Sequence, residues 1–301
     1  MNSKKILILG SSNTDMTIKS AVLPVPGQTV TDGLFYMGPG GKGANQAVAA
    51  ARLGGDAKLV CKVGKDIFGD NAVKHYQEEG LDVSGVLRSD LPSGIALINV
   101  DAKGENCIAV APGANTDITE AEIDSIAEEI RAAAILLLQL EIPLPAVMRA
   151  AKIAHEAGVK VVLNPAPYRP LPDEIFRYVD LFIPNETELA AFSGMPVENQ
   201  ETALAAAHAM VEKGVKEIIV TLGSKGSLIT DGVSVRPVPL FKVQAVDTTA
   251  AGDTYCGALC VALSEGKPLE EAALFASKAS SLSVTKAGAQ ASMPYRKEIV
   301  L

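Results

Sequence analysis

The pattern of this 301-residue chain predicts an α/β fold, doubly wound around a mainly parallel sheet with helices on both faces, plus a small inserted β lid. Three observations carry that expectation. From about residue 134 onward, apolar runs of strand length alternate with amphipathic stretches of helical length, the order that builds parallel sheets through crossover helices. Gly158, Gly214 and Gly266 stand where those helices end. The first third reads differently, as short strands with tight connections.

Taken in order, the chain opens with an apolar strand over residues 4–10. Short antiparallel strands are expected at 16–20 and 29–37, then at 93–100 and 106–110, the last two joined across 101–105 as a hairpin. Between them lies a helix with Ala44, Ala47, Val48 and Ala51 on one face, stopped by Gly54-Gly55. Buried strands follow at 135–140, 159–163, 179–183 and 217–222. Helices are expected at 119–131, 144–157, 187–193, 200–213, 252–265 and 269–282, the first opened by a capping box of Thr119 and Glu122. This organisation is one domain over residues 1–301, with lid segments at about 14–38 and 92–111. The lid's exposed apolar face is a surface on which a second copy would pack, giving a homodimer.

Composition narrows the function. With 48% hydrophobic and 21% charged residues the chain is globular. A net charge of −8 without a Lys/Arg cluster argues against nucleic acid and anionic membranes as partners. Met1-Asn2-Ser3-Lys4-Lys5 leads into too few apolar positions for a signal peptide, and the longest apolar run, 132–138, reads as a buried strand. The cysteines at 61, 107, 256 and 260 form no C-x-x-C pair, and Cys256 and Cys260, four apart on one helical face, read as buried thiols of a reducing cytosol. A cytoplasmic protein is expected. His75, His155 and His208 are too scattered for a zinc site.

The most informative residues are Asp247-Thr248-Thr249-Ala250-Ala251-Gly252-Asp253-Thr254-Tyr255. They run into a helix with apolar residues at 255, 256, 259, 260 and 263, so small residues and two carboxylates stand at a helix N-terminus, where free N–H groups favour anions. Asp253 is expected to be ionised at neutral pH there, ready to take a proton from a hydroxyl. An ordinary N-cap accounts for the same residues. Upstream, Gly38-Pro39-Gly40-Gly41-Lys42-Gly43-Ala44-Asn45 satisfies G-x-G-x-x-G, which raises an NAD(P)-dependent oxidoreductase as a rival. That match is a decoy, because no βαβ unit with a following acidic residue surrounds it. Nor is it a phosphate-binding P-loop, because Gly43 follows Lys42.

Glu141 ends a buried strand, and Asn13 and Asp15 follow the first one, the edge on which open α/β sheets bind ligands. With Asn45 and the 41–43 turn they offer several hydroxyl-binding groups, which suits a polyol. A solvated strand-end charge explains Glu141 equally, and Lys42 reads as solvated or as a cation beside a phosphate path. Asn185 with Glu188 matches an ordinary capping box, and Thr221 to Gly226 a glycine turn between strands.

Eight segments in order, at residues 10–15, 40–45, 139–141, 164–167, 184–188, 221–226, 247–253 and 286–292, resemble the ribokinase family of carbohydrate kinases over nearly the whole chain. The resemblance implies transfer of a phosphoryl group from ATP to the primary (5-) hydroxyl of D-ribose, with Asp253 as general base and the backbone N–H groups of Ala250, Ala251, Gly252 and Asp253 as an anion hole. It implies sugar binding by Asn13, Asp15, Gly41, Lys42, Gly43, Asn45, Glu141 and Asp253. Nucleotide contacts fall to Asn185, Thr221, Gly223, Ser224, Gly226, Gly252 and Ser277. Glu188 would hold Mg²⁺ through water, and Asp247, Thr249, Ser283, Lys286, Gly288 and Ser292 would cage K⁺, mostly through backbone carbonyls. Ala250 departs from the glycine frequent in the family, a change expected to be tolerated if φ is negative. A kinase for 2-deoxyribose, a nucleoside or another sugar, or a non-catalytic sugar-binding protein, remains an alternative, although few aromatic residues near the sugar groups disfavour a nucleoside.

Overall fold

The centre of the main sheet is made by runs with no polar side chain. In the computed structural model, which describes residues 4–300, β1 (Ile6–Leu9) and later β8 (Ile135–Leu138) are buried at every position. Met1, Asn2 and Ser3, the start of the stretch read as too short for a signal peptide, lie outside the described residues. After β1 the chain leaves for a second sheet through β2 (Asn13–Lys19) and β3 (Leu34–Gly40). It returns with α1 (Lys42–Arg52), β4 (Ala57–Gly64), α2 (Ile67–Glu78) and β5 (Asp82–Ser89), then completes the second sheet with β6 (Gly94–Val100) and β7 (Asn106–Ala111). Next, α3 (Glu120–Ser125) and α4 (Ala127–Ala132) precede β8, followed by α5 (Leu144–Glu156), β9 (Lys160–Leu163), β10 (Leu181–Phe182), α6 (Glu186–Ser193), α7 (Gln200–Glu212) and β11 (Glu217–Thr221). A hairpin of β12 (Ser227–Thr230) and β13 (Val235–Val238) forms one edge, and α8 (Ala251–Ser264) and α9 (Leu269–Ser283) close the core.

The nine-stranded sheet has the order β13-β12-β11-β10-β9-β8-β1-β4-β5, and its pairings are parallel except β11 with β12 and β12 with β13. Side chains alternate between its faces. Ile6, Ile8, Ile135 and Leu137 pack with α1, α2, α8 and α9 on one side, while Leu7, Leu9, Leu136 and Leu138 pack with α3 to α7 on the other. The doubly wound expectation holds. Chain order reverses between β1 and β8, which makes the crevice beyond their carboxyl ends the place where such sheets bind ligands.

Several elements differ from expectation. The 119–131 helix is two short ones, broken at Ile126 (φ −107°, ψ 14°), although its capping box forms. The lid sheet, ordered β3-β2-β6-β7, is not wholly antiparallel: β2 and β6, far apart in sequence, pair in parallel. Its second strand begins at Leu34 and not at 29, and runs through Gly38-Pro39-Gly40, so these glycines sit in a strand of the lid and in no nucleotide-binding βαβ turn. The main sheet also takes β4 and β5 from the first third. Strand β4 hides its character behind Lys58 and Lys62, whose stems are buried while their ammonium groups reach Glu129 and Glu122. No helix among the described residues is long and apolar enough to cross a membrane.

Helices α1 and α8 approach closely because both are built from small residues. A Cβ at Gly257 would lie 2.6 Å from the Gln46 carbonyl oxygen and 2.8 Å from the Ala49 methyl group. We predict that Gly257→Ala costs about 1–3 kcal/mol through overpacking, against an intrinsic helix preference for Ala of about 1 kcal/mol. Urea denaturation measures it, and an unchanged or higher midpoint refutes the close approach.

Candidate active site

Four chain segments converge beyond the β1 and β8 strand ends. After β1, Asn13 and Asp15 enter the lid. The chain comes back at Gly41, whose φ of 89° and neighbours Asn13 N and Ser12 Cα, 2.8 and 2.9 Å from a notional Cβ, leave room for glycine only. There α1 starts, carrying Lys42, Gly43 and Asn45 in its first turns. Gly43 lets that turn touch the strand end, since a Cβ would meet Gly10 and Ser11 backbone at 2.6 Å. Glu141 follows β8, and its Oε2 accepts the Lys42 N–H at 3.0 Å and the Ser11 hydroxyl. Opposite, the first turn of α8 supplies Asp253, which is almost wholly buried.

The Asp253 carboxylate is clamped from α1. Its Oδ2 accepts from Asn45 Nδ2 at 2.9 Å and its Oδ1 from Gln46 Nε2 at 3.0 Å. Gln46 in turn donates to Asn164 Oδ1 and accepts from Gln139 Nε2, while Asn45 accepts from Gln290 Nε2. Asn13 accepts from Asn115 at 2.8 Å. Gln46, Gln139, Asn164, Gln290 and Asn115 were not among the expected site residues. Their signal was faint but present: two adjacent amides, Asn45 and Gln46, interrupt an otherwise alanine-rich buried helix, and buried amides need partners.

Burial dominates the charge states. It raises Asp15 to about 6, with help from Glu141 and Asp253. Burial likewise pushes Asp253 up, opposed by Lys42 and by the Asn45 and Gln46 hydrogen bonds. The helix N-terminus was expected to favour the ionised form, and burial works against it: the net direction is above an ordinary aspartate. Burial would depress Lys42, but Asp253, Glu141 and Glu188 outweigh it and hold the ammonium charged. Glu188 is raised by burial, against its Asn185 N–H bond and Lys42.

The loop before α8 carries a second correction. Ala250 has φ 57°, ψ 17°, left-handed, the one such non-glycine among the described residues. The condition under which alanine would be tolerated there, a negative φ, is not met, and alanine sits with strain of about 1 kcal/mol. Of the proposed donors, the Ala251 N–H is engaged with the Thr248 carbonyl at 3.2 Å.

The residues expected to contact nucleotide form a separate group around the ends of β10 and β11. Asn185 bridges to Thr221, Gly223 and Ser224 turn into β12 through Gly226, and Ser277 donates its hydroxyl to the Pro239 carbonyl at 2.7 Å. Asn185 and Glu188 do form the capping box. Asp247 ties two loops together: Oδ1 accepts from Thr249 and Oδ2 from the Gly288 N–H at 2.8 Å. Ser283 and Ser292 turn their hydroxyls onto nearby carbonyls, and Lys286 pairs with Glu298 at 3.0 Å, away from Asp247. A cleft of about 720 Å³ runs from Asp15 along the inner lid face to Asp247 and Gly288.

The description pfkB family carbohydrate kinase matches residues 3–296. A ribokinase of Haemophilus influenzae is 41% identical over 98% of this chain and 97% of its own. A deoxyribokinase of Salmonella typhi is 38% identical over 96% and 95%. A ribokinase of Arabidopsis thaliana, solved with ribose and ATP, superposes with a TM-score of 0.92 at 36% identity, covering 99% of this chain and 97% of that one.

Two expectations follow. Ala250→Gly relieves the left-handed strain of about 1 kcal/mol, less about 0.5–1 kcal/mol for the entropy that glycine gains when unfolded, so stability should be unchanged or higher by up to about 0.5 kcal/mol; a clearly lower denaturation midpoint contradicts this. Because the Asp15 carboxyl titrates near 6 when folded against 3.8 when free, the native state binds the extra proton in that window and stability falls as pH rises through it. Asp15→Asn therefore stabilises the protein at pH 7.5 by about 1–3 kcal/mol, a gain that shrinks towards pH 4. A loss of stability at pH 7.5 would overturn the assignment.

Proposed function

The chain belongs to the pfkB family of carbohydrate kinases, and we propose that its reaction is the transfer of the γ-phosphoryl group of ATP to the 5-hydroxyl of D-ribose, giving ribose 5-phosphate. The observation that carries this reading is Asp253: a buried carboxylate in the first turn of α8, held through both oxygens by amides of α1 and facing Asp15, Lys42 and Glu141. As the sugar oxygen attacks phosphorus, its proton passes to Asp253, a P–O bond forms, and the bond to the ADP oxygen breaks. Asn13, Asp15, Asn45 and the Oε1 of Glu141 take ring hydroxyls, while Lys42 and the backbone of Ala250, Gly252 and Asp253 meet the charge of the moving phosphoryl group. Asn185, Thr221, Gly223, Ser224, Gly226 and Ser277 receive the nucleotide.

Glu188 suits a water-mediated Mg²⁺ shell, being a partly buried carboxylate within electrostatic reach of Lys42 and Asp253. Mg²⁺ bound with ATP would neutralise phosphate charge there. The Asp247–Gly288 tie, with Lys286 turned away, fits a carbonyl cage for K⁺ formed by Asp247, Thr249, Ser283, Lys286, Gly288 and Ser292. A homodimer through the lid is supported by strand register: Ile18, Phe35, Met37 and Leu97 share the face opposite Asp15 and Thr17, and all are exposed. Free thiols buried at Cys61, Cys256 and Cys260 accord with the cytoplasm. Phosphorylation of 2-deoxyribose is the second reading, favoured by the similar identity to a deoxyribokinase.

ATP-consumption assays over ribose, 2-deoxyribose, hexoses and nucleosides, run in K⁺ and with K⁺ exchanged for a bulky organic cation, test the whole reading. Ribose should be the preferred acceptor, with turnover lower after exchange. Asp253→Asn should lower kcat by about 10² to 10⁴ while sugar and ATP still bind. Near-normal turnover by folded Asp253→Asn protein refutes the base.

A further inference from the structure

We propose that Gln290, which does not touch Asp253, is a positioning residue of the transfer reaction: it fixes which end of the Asn45 amide faces the carboxylate. This rests on the assignment of Asp253 as the base. An ionised carboxylate only accepts hydrogen bonds, so Asn45 must present Nδ2 to Asp253 Oδ2, which it does at 2.9 Å. The Asn45 oxygen then needs a donor, and Gln290 Nε2 stands 3.0 Å away. That choice leaves Gln290 Oε1 as an acceptor, and it faces His75 Nε2 at 2.8 Å, which must carry a proton. Every donor in the row His75, Gln290, Asn45 points towards Asp253. Reversing the row sets the Asn45 oxygen against a carboxylate oxygen in a buried site, an arrangement that repels.

The holder of this row is itself fixed. Gln290 is 1% exposed and begins a short 3₁₀ turn, Gln290–Ser292. Arg52, at the end of α1, donates to the Gln290 and Met293 carbonyls and is paired with Glu79, which caps the end of α2. An apolar side chain of similar size fills the same volume but cannot impose a direction on Asn45, so polarity, and not bulk, is what Gln290 contributes.

Gln290→Glu and Gln290→Met separate the two roles. Glutamate keeps the shape and has His75 beside its side chain, while Arg52 holds the backbone carbonyl of the same residue, so a merely structural residue would tolerate the change. A carboxylate there attracts Asn45 Nδ2 and turns Oδ1 towards Asp253. We expect kcat to fall at least tenfold in both variants, with KM for ATP within twofold and melting temperatures within a few degrees of the parent. In ligand-free protein, the side-chain amide NMR signals of Asn45 should shift and lose exchange protection. If the parent enzyme prefers another sugar, kcat is read on that sugar. If it phosphorylates none, the amide signals decide alone: altered signals in Gln290→Met uphold the positioning role, and signals unchanged from the parent overturn it. Parent-level kcat in both folded variants overturns it as well.

Discussion

A carboxylate buried between two helices can be an anion only where its neighbours donate, and the surroundings of Asp253 are organised around that condition. Two amide chains reach it, one through Asn45 and Gln290, the other through Gln46 and Gln139. Both present nitrogen to the carboxylate and oxygen outward. The second chain does so at a cost: Gln139 Oε1 is buried without a hydrogen-bond partner, worth about 1–3 kcal/mol of destabilisation. Turning the Gln139 amide over would set its oxygen against Gln46 Oε1, so the orphan acceptor follows from the polarity that the carboxylate imposes. The close passage of α1 against α8 at Gly257 is what brings these amides within reach.

The same crevice gathers Asp15 and Glu141 beside Asp253, three carboxylates answered by one lysine. Burial, helped by the neighbouring carboxylates, lifts Asp15 to about 6, and the same carboxylates outweigh burial at Lys42 and keep it charged. Such a cluster is poor for stability and suited to binding a neutral polyol, whose hydroxyl groups donate to carboxylates and whose arrival excludes water. The left-handed Ala250 lies in the same crevice wall, where the backbone turns into the first turn of α8 that carries Asp253.

The second sheet borders the same crevice. Its inner face lines the cleft with Asp15, Thr17 and Lys19 on one strand, while the alternate residues of that strand turn apolar surface outward. One strand therefore presents polar groups to the cleft and apolar ones to the opposite, exposed face.

The sequence by itself determined the doubly wound class, because buried parallel strands need uninterrupted apolar runs and their crossover helices need amphipathic ones, both local patterns. It also brought forward Asp253, Glu141, Asn45 and Asp15, since carboxylates and amides after strand ends or at helix N-termini are visible as residues in order. Only the tertiary structure decided the rest. The parallel pairing of β2 with β6 joins segments some 80 residues apart, and nothing local records it. Strand β4 was concealed because its lysines are neutralised by acids from another part of the chain. Gln290 and Gln46 acquire their meaning from hydrogen bonds spanning more than 200 residues. The left-handed turn at Ala250 is imposed by the loop's anchorage, against the residue's own preference. Local pattern fixes which elements form; the direction of a buried hydrogen bond depends on which groups the fold sets opposite one another.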